Sequence, residues 1–214
     1  MAFSDKFDLK WVQTTGEVDF LKFKEGSQLV NHIPNINVIG SKNGLIQTLR
    51  SFESQNPNTN HNISIDDFMP DSYRLDVLED ELKFANCENS GIWITKPYHT
   101  NQGKNLKIIT DIAKFKKDFL KTKKMTLGDT VFKEIFNCEV EEEKEDEHFQ
   151  KIDTRVVIQK YIENPLLLNN KKFDIRCYVL ISTMKPLFVL FHPGYCRLCI
   201  NDYSTGRKLI KILL

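Results

Sequence analysis

A short run of alternating charges holds the side chains best suited to chemistry in this 214-residue sequence. Successive side chains of a β-strand point to opposite faces, so a strand here would present Lys172, Asp174 and Arg176 together on one face. An arginine fork can bind a phosphate or a carboxylate through two hydrogen bonds. The row therefore fits a site that positions a phosphate and a carboxylate substrate, and it equally fits a ladder of ion pairs on an exposed face.

A lysine and a glycine form a second candidate site. Lys96 ends an apolar strand, and the polar loop that follows contains Gln102, Gly103 and Lys104. A glycine lets the backbone approach a phosphate closely, and lysines neutralise its charge. A solvated lysine beside an ordinary turn would have the same pattern.

The segment that begins at Val156 changes character along its length. A β-branched apolar run passes into Gln159, Lys160, Tyr161 and Ile162 and then stops before Pro165. This is the pattern of a core strand that leads into an interdomain linker, where apolar side chains and main-chain groups can hold a flat ligand. An ordinary core strand is the alternative.

A helix rich in lysine is predicted after a cap at Thr110 or Asp111. Its buried positions would be Ile112, Phe115, Phe119 and Leu120. Its lysines are Lys114, Lys116, Lys117, Lys121, Lys123 and Lys124. They predict either a solvated helix face or a surface that attracts an acidic protein tail.

The elements that must position these residues predict an α+β fold with mixed or antiparallel sheets and flanking helices. Strands are expected at 92–96, 106–109, 156–158, 175–181, 187–191 and 194–200, with a hairpin turn at 184–186. A short helix should include Leu45, Ile46, Leu49 and Phe52. Residues 54–62 should form a surface loop, and the acidic stretch 139–147 a solvated insertion.

Composition narrows the classes of partner. The formal net charge is +1, which favours neither nucleic acid nor membrane as a partner, and no stretch has the length and polarity of a bilayer span. Five cysteines fit a reducing compartment, so a cytoplasmic protein is expected. Cys196 and Cys199 would face opposite sides of a strand, so no metal site is predicted from this pair.

Four segments together resemble the tubulin tyrosine ligase-like family, in the order in which that family has them. They are 29–34 (LVNHIP), 93–97 (WITKP), 159–167 (QKYIENPLL) and 172–179 (KFDIRCYV). The resemblance covers roughly residues 29–203 and implies an ATP-grasp-like fold, incomplete at the C-terminus. It suggests an N-terminal lobe at 1–88, a central lobe at 89–162 and the start of a C-terminal lobe at 163–214.

The same resemblance assigns roles to single residues. Lys96, Gln102 and Gly103 would contact the phosphates of ATP, and the linker residues Gln159, Lys160, Tyr161 and Ile162 would frame the adenine. Lys172, Phe173 and Asp174 would hold the nucleotide further along the chain. Arg176 and Arg197 would lie near the transferred phosphate and the incoming amino acid. The reaction implied is activation of a carboxylate as an acyl phosphate, followed by attack of an amine.

Residues 101–104 and 193–198 are most similar to the polyglycylase branch, although Asn105 stands where a second glycine is usual. The resemblance therefore implies addition of glycine to tubulin or another acidic protein, by a monomer in the cytoplasm, at the cytoskeleton or in a cilium. Addition of glutamate is the nearest alternative. A catalytically inactive tubulin-binding module is an alternative from another class.

ATP and Mg²⁺ are the cofactors that the resemblance implies. The carboxylates and the asparagine that bind Mg²⁺ in the family lie beyond residue 214, so the metal ligands are expected downstream of this chain. The chain alone is accordingly expected to be an inactive fragment.

Overall fold

Residues 6–57, 64–100, 103–140 and 149–203 are described by a computed structural model. The chain divides into two units, Met1–Met69 and Pro70–Leu214. The lobe boundaries expected near residues 88 and 162 differ from this division. Residues 72–74 pair with a strand near residue 158, which places the segment after Pro70 in the second unit.

Within its described residues, 6–57 and 64–69, the first unit contains two short strands and two α-helices. β1 (Leu9–Lys10) pairs in parallel with β2 (Leu29–Val30), and α1 (Asn37–Gly40) precedes α2 (Lys42–Gln55). Short 3₁₀ turns lie at Thr15–Glu17 and Ile65–Asp67. Ser41 caps α2 by accepting a hydrogen bond from the Gly44 N–H at 3.1 Å. The predicted helix is confirmed, but it extends to Gln55 and so includes the start of the predicted loop; residues 58–63 lie outside the described residues.

A four-stranded antiparallel sheet forms the centre of the second unit. In chain order its elements are β3 (Ser72–Arg74), α3 (Leu78–Asn86), β4 (Trp93–Pro97), β5 (Lys107–Ile109), α4 (Ile112–Leu127), α5 (Asp129–Phe136) and β6 (Val156–Lys160). The strand order is β3-β6-β4-β5. The strands predicted at 92–96, 106–109 and 156–158 are confirmed within one or two residues. The acidic stretch falls largely in residues 141–148, outside the described residues.

One face of this sheet is covered by helices and holds the core. Phe84 of α3 meets the rings of Trp93, Phe115 and Phe119 edge to face, with centroids 5.7 to 6.0 Å apart. Ile158 of β6 belongs to the same buried cluster. The opposite sheet face is formed by the alternate side chains, which include Lys96 and Gln159.

The lysines of α4 do not form the single solvated face that the sequence suggested. Lys116 is only 6% exposed, and its ammonium donates to the Cys87 carbonyl and lies 5.4 Å from the centroid of the Phe84 ring. The partly buried Lys123 forms an ion pair with the buried Glu81 of α3. The predicted cap and buried face are confirmed, because Asp111 accepts from the Lys114 N–H at 2.9 Å and Ile112, Phe115 and Phe119 are buried.

A long hairpin completes the second unit. β7 (Phe173–Met184) pairs in antiparallel fashion with β8 (Leu187–Leu198), as the sequence predicted. The two strands predicted at 187–191 and 194–200 are one strand, bent by a bulge at Gly194. Gly194 has φ +71°, and a Cβ there would lie 1.5 Å from the Arg176 carbonyl oxygen, so only glycine fits. Side chains on both faces of the hairpin are largely exposed.

None of the helices within the described ranges is long and apolar enough to cross a lipid bilayer.

Candidate functional site

A row of polar and charged side chains lies on the sheet face opposite the aromatic cluster, next to the buried side chain of Val157. Gln159 of β6 stands opposite Ile94 of β4 and Ser72 of β3, which brings its amide between the two neighbouring strands. The Lys96 ammonium donates to the Gln159 amide oxygen, and the Gln159 amide nitrogen donates to the Ser72 hydroxyl at 2.6 Å. The pairing of the strands thus holds Lys96, the lysine predicted to contact phosphate, next to Gln159, the first residue of the predicted linker.

Arg74 extends this row on the same face. It stands opposite Val157, which in turn stands opposite Lys96. The Arg74 guanidinium pairs with Asp76 at 3.2 Å, and the Tyr98 hydroxyl donates to the same carboxylate.

Protonation equilibria in this Arg74 cluster are shifted. Burial raises the pKa of Tyr98 well above its ordinary value, and its bond to Asp76 adds to the effect. Burial alone would raise the pKa of Asp76, but hydrogen bonds from Arg74 and Tyr98 lower it below its usual range. The cluster therefore holds an ionised carboxylate beside an arginine.

The linker and the start of the hairpin meet at Lys172. Its ammonium donates to the Tyr161 hydroxyl at 3.0 Å and lies 4.9 Å from the centroid of the Tyr161 ring. The ring of Tyr203 lies 5.9 Å from the same nitrogen. Burial, with a smaller effect of the nearby Tyr161, raises the pKa of Tyr203 to about 12.

Main-chain bonds fix the linker to the sheet. The Lys160 N–H donates to the Asp71 carbonyl and the Tyr161 N–H to the Ile92 carbonyl, both at 2.8 Å. The Tyr203 hydroxyl donates to the Glu163 carbonyl at 2.6 Å. Ile162 is exposed. Any main-chain bond from this linker to an adenine would therefore use groups other than the N–H of Lys160 and Tyr161.

The hairpin carries the remaining predicted residues. Asp174 stands opposite Arg197, whose Nε donates to one carboxylate oxygen at 2.8 Å and whose Nη2 donates to the other. These bonds lower the pKa of Asp174, and Arg176, on the same strand face, contributes a smaller electrostatic effect. Phe173 stands opposite Leu198. Lys172 precedes the strand, so the expected row of three divides into an Asp174–Arg176 face and a lysine held by the linker.

The candidate phosphate loop is described from Gly103 onward. Gly103 has φ +69° and Asn105 φ +58°. Asparagine is among the residues that enter this left-handed region most readily, so Asn105 adopts a conformation that glycine would otherwise supply. Gln102 lies outside the described residues.

Three pairs therefore summarise what the structure brings together. They are Lys96 with Gln159, Lys172 with Tyr161, and Asp174 with Arg197.

Sequence reasoning missed Ser72, Arg74 and Tyr203. The alternation in residues 72–76 was a possible signal for the first two, but nothing local links Tyr203 to Lys172. Within the described ranges, no three His, Cys, Asp or Glu side chains converge as metal ligands would.

These features define a mixed α/β protein with antiparallel sheets, flanking helices and a paired set of cationic and polar side chains. The chain belongs to the tubulin-tyrosine ligase family, whose model matches residues 21–211. The family resemblance drawn from the four sequence segments is thereby confirmed.

Several relatives that are similar to this chain in sequence are named polyglycylases. The chain is 31% identical over 208 residues to the protein polyglycylase TTLL10 of Rattus norvegicus, covering 94% of this chain and 29% of the relative. It is 29% identical to the inactive polyglycylase TTLL10 of Homo sapiens, covering 94% and 33% of the two chains. A probable alpha-tubulin polyglutamylase of Tetrahymena thermophila is 24% identical, with 94% and 48% covered. The chain thus spans about a third of the length of the two polyglycylase relatives.

Proposed function

We propose that this chain carries the nucleotide-binding part of an ATP-dependent ligase that joins an amino acid to tubulin or another protein. Its second unit would be the ATP-grasp-like portion, with nucleotide lying beside Lys96 and Gln159 and along the linker. Family membership and the polyglycylase and polyglutamylase relatives support this proposal.

The observation that carries the proposal is that two lysines are hydrogen-bonded to side chains of β6 and of the linker that follows it. Lys96 is bonded to Gln159, and Lys172 to Tyr161, only two residues further along the chain. Lysines so placed can neutralise phosphate oxygens, while the Tyr161 ring and Ile162 offer apolar surface to a base. Gly103 would let the loop backbone approach the phosphates, with Gln102 beside it.

Arg176 and Arg197 would act where negative charge builds during phosphoryl transfer. In the proposed reaction a carboxylate oxygen attacks the γ-phosphorus of ATP, the bond to the β-γ bridging oxygen breaks, and ADP leaves. An amine then attacks the acyl carbon and inorganic phosphate departs. Guanidinium groups can stabilise both the transferred phosphoryl group and the tetrahedral oxyanion. Asp174 would hold Arg197 in a fixed orientation through its two hydrogen bonds.

Mg²⁺ is proposed as a companion of the nucleotide, with ligands outside this chain. Among the described residues no three His, Cys, Asp or Glu side chains converge, and Mg²⁺ is usually held by one or two carboxylates together with the phosphates of the nucleotide. The proposed role of this chain is accordingly restricted to holding the nucleotide and the reacting groups.

Glycine is the proposed amino acid, because two polyglycylase relatives are 29 to 31% identical to this chain. The polyglutamylase relative favours glutamate as the second candidate. The human relative named inactive favours a third, a tubulin-binding module without catalysis. Incubating tubulin, ATP and Mg²⁺ with a protein that joins this chain to the proposed metal ligands, in the presence of labelled glycine or labelled glutamate, separates the three outcomes by which label, if either, enters tubulin. We further propose a monomer that works at the cytoskeleton or in a cilium.

Thermal unfolding tests the nucleotide site directly. A nucleotide that binds only the folded state at 100 times its Kd adds about 2.7 kcal/mol to the free energy of unfolding, which raises the Tm. ATP should therefore raise the Tm of the wild-type chain, and Lys96→Ala should abolish the shift. Lys83→Ala is the matched control, because Lys83 is an exposed lysine of α3 paired with Glu79. An unchanged wild-type Tm, or an equal shift in all three proteins, would reject the site.

A further inference from the structure

An open cavity of about 320 Å³ lies beside the four-stranded sheet, at the end where β4 leaves it and β5 enters. Its walls combine a buried base with a charged rim. Thr95, Phe115 and Val156 form the base, and Lys107, Lys151 and Arg155 belong to the rim. The volume is at the lower end of the range for ligand sites, which suits a few side chains better than a nucleotide.

The cavity lies on the helix-covered face of the sheet. Thr95 stands opposite both Lys107 of β5 and the core residue Ile158 of β6, and paired residues of antiparallel strands point to the same face. Lys96, the next residue along β4, points to the other face. Lys96 therefore points away from this cavity, whereas Tyr98, Thr100 and Asn105 of the candidate phosphate loop line it.

Positive charge dominates the rim. Lys107, Lys151 and Arg155 are exposed, and the single carboxylate among the described lining residues is Asp153. Asp153 accepts from the Arg155 main-chain N–H at 2.9 Å and lies 3.5 Å from its Nε. One carboxylate thus faces three cations, which leaves an excess of positive charge around the cavity.

We propose that this cavity binds the carboxylates of an acidic peptide segment. The cations come from β5 and from the segment before β6, on side chains long enough to reach several separate carboxylates. The described lining residues include no glycine whose N–H groups could surround a single phosphate. This inference rests on the proposed function, because the acidic segment would be the tail of the protein substrate. The proposed binding surface for acidic residues is therefore this cavity and not the lysines of α4, several of which have partners inside the fold.

Fluorescence anisotropy with a labelled glutamate-rich peptide tests the proposal on the full chain. Removing three exposed charge contacts in Lys107→Ala/Lys151→Ala/Arg155→Ala should weaken binding about tenfold. The matched control is Lys22→Ala/Lys83→Ala/Lys133→Ala, which removes the same charge from three exposed lysines elsewhere. The control should bind within about twofold of wild type, and binding of the wild-type chain should weaken as salt is added.

Three outcomes would overturn the inference. Equal losses in the two triple variants would mean attraction to net charge alone, and absence of binding by the wild-type chain would remove the site. Competition between the peptide and an ATP analogue would assign the cavity to the nucleotide. The cavity variant should keep the ATP-induced Tm shift. Peptide binding without any ATP shift in the wild-type chain would reject the proposed function and leave the cavity standing.

Discussion

The four-stranded sheet and the two-stranded hairpin hold their candidate site residues in different ways. Behind Lys96 and Gln159, the reverse face of the sheet packs on a buried aromatic cluster around Phe84. Behind Asp174 and Arg197, the hairpin has no such layer among the described residues, and side chains on both of its faces are exposed. Cross-strand pairs and the contacts of Lys172 with Tyr161 and Tyr203 hold the hairpin residues instead.

Side chains on the sheet are held in place by core packing, whereas side chains on the hairpin are held by pairing with one another. A side chain on the sheet keeps its position because moving it would disturb a close-packed core. A side chain on the hairpin keeps its position through exposed hydrogen bonds and ion pairs, which contribute little and weaken with salt. The phosphate-side lysine is therefore expected to be preorganised, and the two arginines to depend more on what binds them.

The same substitution in the two regions should have very different effects on stability. Phe84→Ala removes a fully buried ring that meets three others edge to face, and it should lower the free energy of unfolding by about 3 to 5 kcal/mol. Phe191→Ala removes a ring of β8 that is 67% exposed and should cost below about 1 kcal/mol. Urea unfolding followed by Trp93 fluorescence, with Trp11 replaced by Phe, measures both. Similar losses in the two variants would erase the contrast.

The sequence predicted both regions because each follows a local rule. Continuous apolar runs predicted β4 and β6, and two such runs around the turn at Pro186 predicted the hairpin. β3 was not predicted, because it has three residues and forms only by pairing with β6, some 85 positions later. That single distant pairing moves the unit boundary to Met69, and it brings Ser72 and Arg74 onto the face of Lys96.

An ion pair in the sheet region should likewise contribute more than one on the hairpin. Lys123→Met leaves Glu81 buried without its partner and should cost about 3 kcal/mol of unfolding free energy. Replacing both, as Lys123→Met/Glu81→Leu, should recover most of that loss. Arg197→Met breaks the Asp174 pair, whose side chains are 39% and 33% exposed, and should leave the urea midpoint nearly unchanged. Equal midpoint shifts for Lys123→Met and Arg197→Met would contradict this difference.

Lysines show most clearly what the sequence could not predict about the candidate site. The pattern of α4 indicated a basic face, but Lys123 finds Glu81 on another helix and Lys116 reaches a carbonyl of the loop after α3. Such partners are set by helix packing, which no spacing within α4 reveals. Lys96 and Lys172 were predicted as site residues, yet their partners Gln159 and Tyr161 follow from strand register and from the path of the linker.

The smallest expected effect is on the protonation of Asp174. Hydrogen bonds from Arg197 favour the ionised carboxylate, so its pKa should lie below the ordinary value near 3.8. The pair therefore stabilises the hairpin at pH values above 3.8, and this contribution is lost as the pH falls through the lowered pKa. Carboxyl carbon chemical shifts recorded from pH 2 to pH 6 measure the titration. Arg197→Gln should return the pKa toward its ordinary value, whereas Arg176→Gln should raise it less, because Arg176 acts on Asp174 only through its charge. A pKa of Asp174 that Arg197→Gln leaves unchanged would mean that the cross-strand pair does not hold the arginine in solution, and the proposed orientation of Arg197 would then lose its support.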